Sequence, residues 1–163
     1  MAQSDHSLVK GPTMTTSRNL ARHERELLLF LIETNAPLYG ALADRWLDQI
    51  NSCKVREIDS SLFLAVCHDQ ATEDSGCDAY TLRRELIGID EGVAVLAYVQ
   101  IMKTPTDDLI DIFSIDRLDG KPLKHYPSPG PELMIMELGK RIGGADWRNV
   151  YKESDFPFPS QRP

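Results

Sequence analysis

The chain has 163 residues and sets 18 Lys+Arg against 25 Asp+Glu, a formal net charge of −7, and its length suits one domain. A hydrophobic share of 42% with 26% charged residues is enough to build a core, which excludes global disorder. The longest apolar runs, Leu27–Ile32 and Val93–Val99, fall far short of the ~18 residues of a membrane helix. The first sixteen residues lack the apolar stretch of a secretory signal, so the sequence reads as cytoplasmic and away from membranes.

Residues 1–17 are polar and aperiodic, contain Gly11-Pro12, and read as a flexible N-terminal tail. A single α+β domain is expected over 18–152. It opens with a helix from Arg22, in which Leu27, Leu28, Leu31 and Ile32 recur at helical spacing while Arg25, Glu26 and Glu33 face away. Asn35 and Pro37 are expected to end it. A second helix follows from about Leu38 to Ile50, with a stripe of Leu38, Leu42, Trp46, Leu47 and Ile50. The short Asn35-Ala36-Pro37 link predicts an αα-hairpin.

Beyond Asn51 the spacing turns to strands. Lys54–Ile58 and Leu62–His68 flank Asp59-Ser60-Ser61 as a hairpin, and the polar DQATEDSG segment after them is a surface loop. Tyr80–Ile89 and Val93–Met102 form a second hairpin around Asp90-Glu91-Gly92, and Asp108–Asp116 adds a further strand. The expectation is a roughly five-stranded antiparallel sheet covered by the two helices. From Arg117 the sequence is rich in Pro and Gly and cannot continue a sheet. Pro131, followed by Leu133, Met134, Met136, Leu138 and Ile142 and halted by Gly143-Gly144, predicts a short C-terminal helix. Residues 153–163, with Phe156 and Phe158 between prolines, read as an extended tail.

Cys53, Cys67 and Cys77 are odd in number and match no zinc spacing. Reduced thiols are the default, and one bridge stays open. Cys67-His68-Asp69 resembles a nucleophile, base and orienter, but strand neighbours point to opposite faces, which forbids a Cys–His dyad. His6, His23, His68 and His125 lack the spacing that brings two imidazoles onto one helix face. Phosphate-binding glycine loops and a serine elbow are absent from the sequence. No cofactor and no metal site is expected.

Carboxylates concentrate in one region: residues 57–119 hold 14 acidic and 4 basic groups. That balance disfavours nucleic acid, which needs cations against its phosphates, and favours a basic protein partner steered by long-range attraction. The ordinary alternative is a solvated acidic rim that serves solubility. Asp107 or Asp108 with Asp119 and Lys121 gives a rival reading as a small metal-dependent hydrolase or nuclease, although Asp119-Gly120 is a turn signal where that lysine should sit on a strand.

The succession NLARHERELLLFLIE, ELIGIDEGVAVLAYVQI and DDLIDIFSIDRLDGKPL, with Asp111-Ile112-Phe113, Asp116 and Pro122-Leu123, resembles small uncharacterised bacterial domain families. The likeness runs from about Asn19 to Leu123. Some of these families are linked to immunity against polymorphic toxins, and none brings catalytic residues to carry over. The resemblance implies a non-enzymatic protein-binding module, in its sharper form an immunity protein. Its acidic face would comprise Asp90, Glu91, Asp107, Asp108, Asp111 and Asp116 and cover a basic toxin. An accessory domain of another role is the remaining alternative.

Overall fold

The structure, a computed structural model, describes residues 16–58, 62–67 and 78–150. Most of the expected N-terminal tail, the Asp59-Ser60-Ser61 turn, His68, the DQATEDSG loop, Cys77 and the Pro/Phe tail lie outside the described residues. Within them the fold is α+β, two helices on a large antiparallel sheet. No helix of the described residues is long and apolar enough to cross a membrane.

Helix α1 spans Arg22–Tyr39 and α2 spans Ala41–Ser52. Leu27, Leu28, Leu31 and Ile32 of α1 are fully buried, as are Ala43 and Trp46 of α2. The start of α1 is fixed by Glu24, whose carboxylate accepts the Ala21 N–H at 2.8 Å and two Arg18 N–H groups, offsetting the unpaired donors of a helix N-terminus. Contrary to expectation, the helix runs through Pro37. The carbonyl that Pro37 leaves without its donor belongs to Glu33, and both residues are exposed, so water can take its place. The chain turns instead at Gly40, where φ is +58°, a backbone state that glycine enters without Cβ strain.

Eight strands follow among the described residues: β1 Lys54–Ile58, β2 Leu62–Cys67, β3 Ala79–Thr81, β4 Arg84–Asp90, β5 Val93–Lys103, β6 Asp108–Arg117, β7 Met134–Glu137 and β8 Lys140–Gly144. Their order is β1-β2-β6-β5-β4-β7-β8, and β3 pairs with β5 beyond the end of β4. Every pairing is antiparallel. The strand expected over Tyr80–Ile89 is therefore two strands. It breaks at Leu82-Arg83, where Leu82 turns fully into the core and Asn35 of α1 takes both backbone groups of Arg84.

The expected C-terminal helix is replaced by the β7–β8 hairpin. Met134 and Met136 alternate toward one sheet face, a strand period that the helical reading of the same residues overlooked. Leu138 and Gly139 form a two-residue turn with φ of +51° and +84°, the geometry that matches strand twist. Pairing to the open edge of β4 satisfies a row of backbone groups that a helix would have left bare.

One face of the sheet carries Val55, Leu86, Val95, Val99, Ile101, Phe113 and Ile115 and packs against the helices. The opposite face carries Ile87, Leu96, Tyr98, Met134 and Met136, against which Leu118, Trp147 and Val150 pack. The central strand β5 is consequently buried without interruption from Ala94 to Val99.

Candidate functional site

The expected acidic face divides between the two ends of β6. Asp107 and Asp108 stand at its start, while Asp116 lies near its far end, ~25 Å away at ~3.3 Å per residue. Asp90, the last residue of β4, and Glu91, in the β4–β5 turn, belong to that far end, because Asp90 is bound by Arg117.

The near end is built by a mismatch of strand lengths. Among the described residues β2 pairs with β6 over Ile112–Ile115, and none of them forms a strand on that side of the Asp108–Ile110 backbone. Side chains of α2 take its place: Trp46 Nε1 and Gln49 Nε2 both donate to the Asp108 carbonyl at 3.2 Å, and Gln49 Oε1 accepts the Ile110 N–H at 2.9 Å. The Tyr80 hydroxyl donates to Asp108 Oδ2 at 2.8 Å, and its own proton is held more tightly by burial and by that carboxylate. Asp107 faces Arg45 at 3.2 Å and accepts the Asp108 N–H. Exposed Asp44 and Asp48 flank Arg45 on α2, and exposed Asp78 lies across from Lys103, the strand partner of Asp108. The result is a corner of carboxylates with Arg45 and Lys103 among them.

At the far end Asp90 is 1% exposed and does not contribute to an outer face. Its carboxylate accepts the N–H groups of Lys124 and His125 and a guanidinium N–H of Arg117. Burial works against its charge, but these hydrogen bonds outweigh burial and hold the carboxyl below its usual range. Glu91 is exposed, opposite Lys124 and His125. Asp111 is half-buried at the bulge of β6, and Asp116 lies on the face away from the helices, its carboxyl pushed up by burial.

The rival metal-site residues are not brought together. Asp119 lies past the far end of β6, bound to Arg117 and to the Lys121 N–H, whereas Asp107 and Asp108 lie at the near end. Among the described residues no group of three or more His, Cys, Asp or Glu could hold a metal ion. Cys53 Sγ donates to the Ile50 carbonyl, and the His23 ring packs on Tyr126.

Sequence reasoning missed Glu85. It is 1% exposed, and among the described residues neither of its carboxyl oxygens has a hydrogen-bond partner. Burial pushes the carboxyl up to about 8. The available signal was an acid in register with Ile87, an apolar position of β4. No family model, curated protein or solved structure matches the chain.

Proposed function

We propose that the protein is a non-enzymatic module that binds a basic protein through the acidic corner where α2 crosses the start of β6. The observation that supports this reading is the rigidity of the corner. Asp108 is held by Tyr80 and its backbone by Trp46 and Gln49, while Asp44, Asp48 and Asp78 remain exposed. The Asp108 carboxylate, already fixed, loses little side-chain freedom on binding, and the exposed Asp44, Asp48 and Asp78 add the field that speeds the approach of a cationic partner. In the sharper form, resting on the resemblance described above, the module is a cytoplasmic immunity protein that covers the basic site of a toxin. The hydrolase reading is disfavoured by the separation of Asp107 and Asp108 from Asp119.

The test is capture from host lysate at low and high salt, with the wild type beside a variant carrying D44K, D48K and D78K. A single basic protein retained in stoichiometric amount by the wild type, released by salt and not retained by the variant, is expected. Equal retention by the variant, or no stoichiometric partner, overturns the reading.

A further inference from the structure

Glu85 is a buried acid on the sheet face turned from the helices. Its neighbour Leu86 packs toward the helices and Ile87 belongs to the opposite cluster, so strand alternation sets Glu85 with Ile87. On β7 its strand partner is Met136, and the pairing of Leu86 with Ala97 puts Tyr98 of β5 on its other side. Asp116 of β6, opposite Leu96, is a second acid on this face. The arginines of the adjoining elements are engaged elsewhere. Arg83 and Arg84 bind Glu137, Arg117 binds Asp90 and Asp119, and Arg148 binds Asp146. Arg141, the strand partner of Met136, is turned onto the carbonyls of Gly144 and Ala145, and Lys140 is exposed opposite Glu137 at the hairpin turn. Among the described residues no cation is placed to hold a charge on Glu85, and burial favours its neutral form. The Tyr98 phenol, raised above its ordinary 10 chiefly by burial, keeps its proton through neutral pH.

The cover of this face is lightly fastened. Among the described residues Leu118, Trp147 and Val150 pack on it, and two of these three belong to residues 145–150. The Ala145 N–H donates to the Leu133 carbonyl at 3.0 Å, and the Trp147 indole N–H donates to the Glu132 carbonyl at 2.8 Å in an exposed position. The Trp147 backbone N–H meets Met134 Sδ at 3.2 Å, a weak acceptor. Asp146, Arg148 and Asn149 are exposed. β4, by contrast, is paired along both edges, to β5 and to β7. An ionised Glu85 has to be hydrated, and its strand cannot turn it outward, so the weakly held layer over the face is what gives way.

We propose that residues 145–150 form a pH-sensitive strap over this face, held shut by protonated Glu85 and loosened by its ionisation. Loosening bares part of the cluster of Ile87, Leu96, Met134 and Met136, an apolar surface that the closed protein keeps from water. The sign follows from the preference of the covered state for the neutral acid. Opening becomes easier by up to about tenfold per pH unit above the ordinary range of a glutamate, and it levels off near pH 8, where the covered carboxyl itself ionises.

The experiment is amide hydrogen exchange of the full chain, read residue by residue by NMR from pH 6 to pH 9, with each rate divided by that of an unstructured peptide at the same pH. In the wild type the opening seen at Ala145 and Trp147 is expected to rise by about tenfold or more from pH 6 to pH 8, while the amides of β5 stay far better protected. E85Q, which cannot ionise, is expected to show no such rise. Should E85Q fail to fold, D116N takes its place: it removes the other acid of the face and is expected to keep the wild-type rise. A flat wild-type profile, an equal rise in folded E85Q, loss of the rise in D116N, or exchange of Ala145 and Trp147 only in step with β5 each overturns the proposal.

Discussion

Asn35 of α1 and Arg84 of β4 are joined by a two-point clamp. Asn35 Oδ1 accepts the Arg84 N–H at 3.0 Å, and Asn35 Nδ2 donates to the Arg84 carbonyl at 3.1 Å, so a helix side chain acts as a rung of the sheet. Asn35 is fully buried. Replacing it with Ala leaves both backbone groups without a partner beneath α1, and the N35A variant is expected to lose about 2–4 kcal/mol of stability. Urea unfolding checks this, and a loss under ~1 kcal/mol would mean that water substitutes for the amide.

Glu85 makes stability fall as pH rises. Its carboxyl is raised from 4.5 to about 8 in the folded state, so folding favours the protonated form. That contribution is fully present below pH 4.5 and disappears as pH passes about 8, because the folded chain must then ionise a buried acid. The size is on the order of 4 kcal/mol across that window. E85Q cannot ionise, so its stability relative to the wild type is expected to grow steadily from pH 5 to pH 8. Parallel pH profiles for the two proteins would show that Glu85 titrates normally.

Asp90 acts in the opposite sense. Its carboxyl is held below 3.8 by the bonds that outweigh its burial, so its contribution is present above pH 3.8 and disappears as pH falls through the lower folded value. D90N keeps the size and removes the charge. Amide exchange at Lys124 and His125, whose N–H groups bond to the Asp90 carboxylate, is expected to quicken in the variant while exchange in β5 stays slow. Unchanged exchange at both amides would place the anchor of this loop elsewhere.

Leu138 occupies the first position of the β7–β8 turn with φ of +51°, where a branched side chain is strained. Asn tolerates that backbone state, so L138N is expected to raise stability by about 1 kcal/mol and the melting temperature with it. A lower melting temperature would show that packing of the half-buried Leu138 side chain outweighs the strain.

The two acidic ends should respond differently to charge reversal. E91K changes a carboxylate already opposite Lys124 and His125 at the far end, and it is expected to leave partner capture and its salt dependence unaltered. Loss of capture by E91K alone would move the binding surface to the β4–β5 turn.

Much of this fold is written in local periodicity. The leucines of α1, the Trp46 stripe of α2 and the Glu91-Gly92 turn each carry enough nearby information to declare themselves. What escaped depends on contacts distant in the chain. Leu133–Ile142 matches both a helical and a strand period, and only the free edge of β4 decides between them. Pro37 ends a helix on propensity alone, but its exposed position on α1 makes the lost hydrogen bond inexpensive. The acidic residues were visible as a group, yet their division between two ends follows from the length of β6. Glu85 was hidden because burial of a carboxyl depends on what packs over β4.

The order β1-β2-β6-β5-β4-β7-β8 also has a kinetic meaning. The β1–β2, β4–β5, β5–β6 and β7–β8 ladders join strands that are neighbours in the chain, and each can close through a short loop. The rungs from Leu62 to Ile115 and from Ala65 to Ile112 instead bridge the whole span that contains β3, β4 and β5. Closing a loop of that length costs chain entropy before any contact repays it. The β4–β7 rungs, from Arg84 to Glu137 and from Ile87 to Met134, bridge a span just as long. The hairpins form cheaply, and the two seams, β2–β6 and β4–β7, are where the chain waits.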